Sequence, residues 1–175
     1  MRKLRNSELG RLSTEEYTNS EKTPLILVLD NIRSMHNVGS IFRTADCFRV
    51  AHIYLCGLTP KPGHAEIEKT ALGATESVEW SHHESTMSCL DELRKEGHRI
   101  ASLEQAERSV DLRDYLATGS TVLVLGHEVK GVAQEVVDFS DDVIEIKQFG
   151  TKHSLNVSVS TGMALYELHK QLSNE

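Results

Sequence analysis

The chain has 175 residues, 39% of them hydrophobic, which suits one domain with a substantial core. It carries 19 Lys and Arg against 26 Asp and Glu, a net charge of -7, so it is not built throughout for a polyanion. No apolar run reaches the roughly 18 residues of a spanning helix, and the charged start MRKLRNSELGRLSTEEY lacks the apolar stretch of a secretory leader. Cys47, Cys56 and Cys89 are odd in number and far apart, without a CxxC pair. They suggest a reduced, cytoplasmic setting.

Residues 1–22 read as a short basic and polar extension, and within residues 1–11 Arg2, Lys3, Arg5 and Arg11 face only Glu8. Residues 23–175 read as a single domain. After Pro24, the branched apolar run PLILVLD predicts a buried strand. In NVGSIFRTADCF, the spacing of Val38, Ile41, Phe42, Ala45 and Phe48 predicts a helix over 38–48, with Asn37 near its cap. AHIYLCGL reads as a second strand and TPKPGH as a loop. A helical stretch IEKTALGA and a weak third strand SVEW follow. STMSCLDELRKEG is a helix stopped by Gly97, and HRIASLE is a fourth strand. Residues 105–119 are polar, with one helical turn expected. STVLVLG is the fifth strand, HEVKGVAQEVVDF a loop entering a short helix, and DDVIEIK the sixth strand. The pattern over 156–172 predicts a long terminal helix.

Strands alternate with helices, and most strands are apolar throughout. This predicts an α/β fold with a mostly parallel sheet and helices on both faces. Ligands bind such sheets beyond the carboxyl ends of the strands. The loops after Leu29, Leu103, Leu125 and Ile146 are therefore the ones to inspect.

Three of these loops carry unusual residues. In NVGSIFR, Gly39 permits close approach of a ligand or tight packing, and Arg43 is either a solvated surface arginine or a functional one. LGHEVKG is neither a dinucleotide fingerprint nor a phosphate loop. Its Glu128 suits an ordinary turn before a helix, or accepts hydrogen bonds from a ligand or from Arg43. In GTKHSLNVS, Ser154 or Asn156 could cap the terminal helix, or the free N–H groups there could hold a ligand. The nine histidines show no metal-ligand spacing, so no metal is expected. The cysteines and Trp80 read as packing residues.

Taken together, NVGSIFRTAD, LVLGHEVKGV and IKQFGTKHSLNVS, in this order on an α/β chain, resemble the SpoU/TrmH family, with TALGATESV as a further matching segment. These are S-adenosylmethionine-dependent RNA ribose 2'-O-methyltransferases of the SPOUT class. The resemblance spans about residues 25–172. It implies a C-terminal trefoil knot, which chain periodicity does not predict. It also implies a homodimer built on the terminal helix and the first-motif helix. Cofactor contacts then fall at Leu103, Gly126, Ile146, Ser154 and Leu155. The catalytic set becomes Arg43, Asn37 beside it, Glu128 orienting Arg43 or the loop around it, and Ser154 with Asn156 at the cofactor and ribose. Arg2, Lys3, Arg5 and Arg11 are left to grip tRNA or rRNA. The family commonly has proline and an apolar residue where this chain has Lys147 and Gln148, which alters adenine packing or adds charge near RNA. The alternative is a non-catalytic RNA-binding or ribosome-assembly module on the same fold, and the presence of Arg43, Glu128, Ser154 and Asn156 argues against it. An unrelated nucleotide-binding enzyme is disfavoured by the missing glycine-rich phosphate loop. A base-directed methyltransferase is disfavoured by the motifs.

Overall fold

The computed structural model describes residues 1–173. A seven-stranded sheet, parallel at every pairing, forms its centre. In chain order the strands are β1 (Thr23–Asp30), β2 (Val50–Cys56), β3 (Trp80–His83), β4 (Arg99–Leu103), β5 (Val110–Asp111), β6 (Thr121–Leu125) and β7 (Asp142–Glu145). Their spatial order is β3-β2-β1-β6-β4-β7-β5. The helices are α1 (Thr14–Asn19), α2 (Met35–Cys47), α3 (Ala65–Ala71), α4 (Ala74–Ser77), α5 (Thr86–Lys95), α6 (Gln134–Phe139) and α7 (Val157–Leu172), and a 3-10 turn spans Asn6–Glu8.

The apolar runs take central places because both faces of the sheet are covered. From Leu25 to Leu29 every β1 residue is buried, and β6 is buried throughout. On one face Leu25, Leu27 and Leu29 pack with Ile41, Phe42 and Ala45 of α2 and with Ala164, Leu165 and Leu168 of α7. Tyr17 of α1 joins this core. On the other face Ile26, Val28, Val122 and Val124 meet Cys89, Leu90 and Leu93 of α5 and Val136 of α6.

Several elements differ from the sequence expectation. Helix α2 starts at Met35, and its cap is Ser34, whose side chain accepts from the N–H of Asn37. Asn37 lies inside the first turn, which frees its amide for other work. The third strand begins only at Trp80, the last residue of SVEW. The helix expected in IEKTALGA is split, because Leu72 (φ 51°) and Gly73 (φ 89°) adopt left-handed backbone. Segment 105–119 contributes a seventh strand: Val110 and Asp111 pair with Ile144 and Glu145 at the sheet edge. Two residues are too few for a hydrophobic period to register. Gly97, at φ 93°, follows the end of α5 as expected.

Candidate active site

The carboxyl ends of β1, β6, β4 and β7 lie side by side in register, with Leu29 opposite Leu125 and Leu103 opposite Ile144. The loops that leave them surround a cleft of about 890 Å³, a volume that suits a nucleoside-sized ligand. Leu103, Gly126, Ile146, Ser154 and Leu155 all line it. Its apolar wall comes from Leu103, Leu125, Val132, Ile146 and Leu155.

The charge of the walls limits the ligand. Glu104, Glu107, Glu128, Asp138 and Glu145 line the cleft, against Lys130 as the lining lysine. Such walls repel phosphates and favour a cationic group. An adenosyl ligand with a sulfonium and no phosphate fits this donor set and this volume. Among the described residues, no group of three or more His, Cys, Asp or Glu is placed to hold a metal ion. No helix there is long and apolar enough to cross a membrane.

The 126–132 loop is a tight reversal. His127 and Gly131 form an antiparallel bridge, with N···O distances of 3.1 and 2.8 Å. The imidazole Nδ1 of His127 accepts from the N–H groups of Val129 and Lys130. Gly126 is required by this reversal, because a Cβ there would lie 2.1 Å from the nitrogen of Val132.

Glu128 leaves this loop towards α2. Its Oε1 accepts from Ser34 N (2.9 Å) and from Asn37 Nδ2 (3.0 Å), and its Oε2 accepts from Arg33 N (3.1 Å). The carboxylate thus sits at the N-terminus of α2, where free N–H groups and the helix dipole favour an anion. Burial pulls its pKa up, but donation from Asn37, Arg33 and Ser34 outweighs this and holds it below the ordinary carboxylate value. Of the two partners expected for Glu128, the structure places the loop and Asn37 on it. No direct bond to Arg43 is among its contacts.

Asn37 relays the contact onward. Its Oδ1 accepts from Asn156 Nδ2 at 3.1 Å. Asn156 in turn caps α7, its Oδ1 accepting from Ser158 N (2.9 Å) and Val159 N (3.4 Å). The cap is therefore Asn156, while Ser154 is exposed and lines the cleft. Glu128, Asn37 and Asn156 form one hydrogen-bonded chain joining the first residues of two helices to the cleft loop. Arg43 lies on the exposed face of α2, outside this chain.

Arg2, Lys3 and Arg5 line a separate surface depression with Ser7 and Glu8, and none of them, nor Arg11, lines the cleft. Arg2 forms a bidentate pair with Glu8, at 2.6 and 2.9 Å. Lys147 turns away from the cleft. Its Nζ is 3.7 Å from Asp111, whose carboxyl is held well below the usual range by hydrogen bonds from Arg113, with Lys147 adding to the field. Gln148 does line the cleft. A hydrogen bond with Cys56 and burial push the Cys89 thiol up, which disfavours Cys89 as a nucleophile.

Sequence reasoning missed Asp30, Glu104 and Gln105. Asp30 is 3% exposed and accepts from Thr86 Oγ1 (2.6 Å), Asn31 Nδ2 (2.9 Å) and Ala133 N (3.2 Å), so it ties β1 to α5 and to the end of the cleft loop. An acid closing an otherwise apolar strand was the available signal. Glu104 carried a similar one, as the first polar residue after β4.

Comparison with known proteins shows the family and the fold. Residues 24–166 match the model of the SpoU rRNA Methylase family. The chain is 35% identical over 162 residues to tRNA (guanosine(18)-2'-O)-methyltransferase of Aquifex aeolicus, covering 89% of this chain and 74% of that protein. The crystal structure of the A. aeolicus TrmH/SpoU tRNA modifying enzyme superposes with a TM-score of 0.81 at 32% identity, over 90% of this chain and 80% of that one. An AdoMet-bound rRNA methyltransferase from Sinorhizobium meliloti has a TM-score of 0.81 at 26% identity, covering 94% of this chain and 62% of that one. The family match over most of the chain, the sequence identity and the superposition together place it: the chain belongs to the SpoU rRNA methylase family of RNA methyltransferases.

Proposed function

We propose that the protein transfers a methyl group from S-adenosylmethionine to a ribose 2'-hydroxyl of tRNA or rRNA. The observation that carries this reading is the Glu128–Asn37–Asn156 chain, which joins an acid-walled, nucleoside-sized cleft to the helix that bears Arg43. When bound, S-adenosylmethionine supplies an electrophilic sulfonium methyl, so the chain's residues need only position the ribose and handle its proton. Leu103, Gly126, Ile146, Ser154 and Leu155 are the residues that would hold the cofactor. Asn37 is held by Glu128 and Asn156, and it fixes the start of α2 for the ribose. A guanidinium keeps its proton throughout the physiological range. Arg43 therefore acts as a donor that stabilises the forming alkoxide, and an RNA phosphate beside it helps the proton leave.

Residues 23–175 form the catalytic domain in this reading, with 1–22 as an extension docked through Tyr17. Lys3, Arg5 and Arg11 are exposed and supply its RNA contacts along with Arg2. A trefoil knot is supported by the path of the C-terminal chain. Helix α7 packs on β1 and α2, although β7 lies beyond β6 and β4 from β1. Segment 104–120 grips α7 from outside, with Ala117 N donating to Gln171 Oε1 (2.9 Å) and Gln171 Nε2 donating to Tyr115 O (3.1 Å). A homodimer is supported by the exposed stripe Val159, Met163 and Tyr166 on α7, which packs beside α2. The unpaired cysteines suit the cytoplasm.

The test is transfer of labelled methyl from S-adenosylmethionine to unmodified tRNA and rRNA in parallel at low salt, with digestion to nucleosides. Label in 2'-O-methyl nucleosides is the expected result. Label on a base would overturn the ribose assignment. Absence of label with cofactor bound would favour the binding-only module.

A further inference from the structure

We propose that Glu104 and Gln105 are positioning residues that set the spacing of the three loops around the cleft. This rests on the methyltransferase reading above. Both residues follow β4 directly, and each reaches a different neighbouring loop. Glu104 Oε2 accepts from Val132 N at 2.9 Å, and its Oε1 accepts from Gln105 N at 2.7 Å. Gln105 Nε2 donates to His153 O at 2.9 Å. Two consecutive side chains thus tie the loop after β4 to the 126–132 loop on one side and the 146–155 loop on the other.

The glycine opposite is shaped for this contact. Gly131 has φ 69°, and a Cβ there would fall 2.1 Å from Glu104 Oε2. Gly131 therefore leaves the volume that the carboxylate fills. The loop that Glu104 holds by its last residue is the same loop that sends Glu128 to Asn37. Glu104 fixes it on the cofactor side and Glu128 on the catalytic side, so the clamp also sets where Asn37 stands relative to the cleft. Neither clamp residue lies in the core: Glu104 is half-buried and Gln105 is exposed. Their hydrogen bonds restrain loops that would otherwise open locally, at small cost to the global fold.

The test uses the full chain with Glu104→Ala, Glu104→Gln and Gln105→Ala. Calorimetry of S-adenosylmethionine binding should show affinity falling roughly tenfold or more for Glu104→Ala and about fivefold for Gln105→Ala. Glu104→Gln should recover part of the loss, because its amide oxygen still accepts from Val132 N. In turnover, KM for the cofactor should rise more than kcat falls. Hydrogen exchange of the cofactor-free protein should quicken in 126–132 for Glu104→Ala and in 149–154 for Gln105→Ala, with the central strands unchanged. Unchanged affinity and exchange in Gln105→Ala and Glu104→Ala would overturn the clamp, as would faster exchange throughout the sheet. Wild type that binds no cofactor would overturn the methyltransferase reading instead, while the exchange measurement on cofactor-free protein still decides the clamp. If Glu104→Ala fails to fold, the exposed Gln105 carries the test.

Discussion

Arg43 stands on the solvent side of α2, in a helix whose opposite face buries Val38, Ile41, Phe42 and Ala45. Its side chain does not take part in core packing, so removing it should affect chemistry and leave the fold intact. Arg43→Ala is expected to lower methyl transfer at least ~100-fold, the scale of losing one transition-state donor, with cofactor affinity and melting temperature nearly unchanged. A near-normal rate would remove Arg43 from the mechanism. Glu128 belongs to the same scale but is tested by pH. Its folded pKa lies below the ordinary 4.5, through donation from Asn37, Arg33 and Ser34 that exceeds the opposing burial effect. A depressed carboxylate contributes its full stability above the unfolded pKa and loses it as pH falls through the folded value. The urea-midpoint gap between wild type and Glu128→Gln should therefore hold steady from about pH 7 to about pH 5 and close below about pH 4.5. A gap that widens on acidification would contradict the three hydrogen bonds.

At the scale of elements, α2 is placed by contacts at its start and along one side. Glu128 and Asn156 fix its start, and Gly39 lets α3 approach. A Cβ on Gly39 would lie 2.3 Å from the carbonyl oxygen of Ile67 and 2.1 Å from Thr70 Oγ1. The backbone of α3 cannot swing aside as a side chain can. Gly39→Ala should therefore cost about 2 kcal/mol and lower the melting temperature by roughly 4–8 °C. An unchanged melting temperature would mean that the two helices separate freely. Gly39 had two readings in sequence, ligand approach or tight packing, and only the position of α3 chooses the second. Likewise both Ser154 and Asn156 suited the cap of α7, and the side-chain geometry selects Asn156.

At the scale of the molecule, the α2–α7 side carries exposed Val159, Met163 and Tyr166. Tyr166 meets Phe48 edge to face, with ring centroids 6.3 Å apart, so its ring is held in place on this surface. An apolar stripe next to the helix of Arg43 fits a two-fold contact in which each protomer completes the other's site. Wild type should sediment as a dimer, and Met163→Glu should sediment as the 19.6 kDa chain with greatly reduced turnover. A monomeric wild type with full activity would end the dimer reading.

The parallel α/β sheet was legible along the chain, since uninterrupted apolar runs must be buried on both faces. The three loops were legible there too, since glycines and polar residues at strand ends stand out against those runs. The terminal helix was legible in its apolar spacing, whereas the five residues lining the cleft followed from the resemblance to the SpoU/TrmH family. The partners of the site residues follow from the folded arrangement alone. Glu128 meets residues 94 and 95 positions away in Ser34 and Arg33, and Asn156 meets Asn37 across 119 positions. The edge strand β5, the turn of Lys147 towards Asp111, and the Glu104–Gln105 clamp depend in the same way on which loops the strand order brings together. Hydrogen bonds of this kind leave no periodic trace along the chain, because they are set by direction and distance in space.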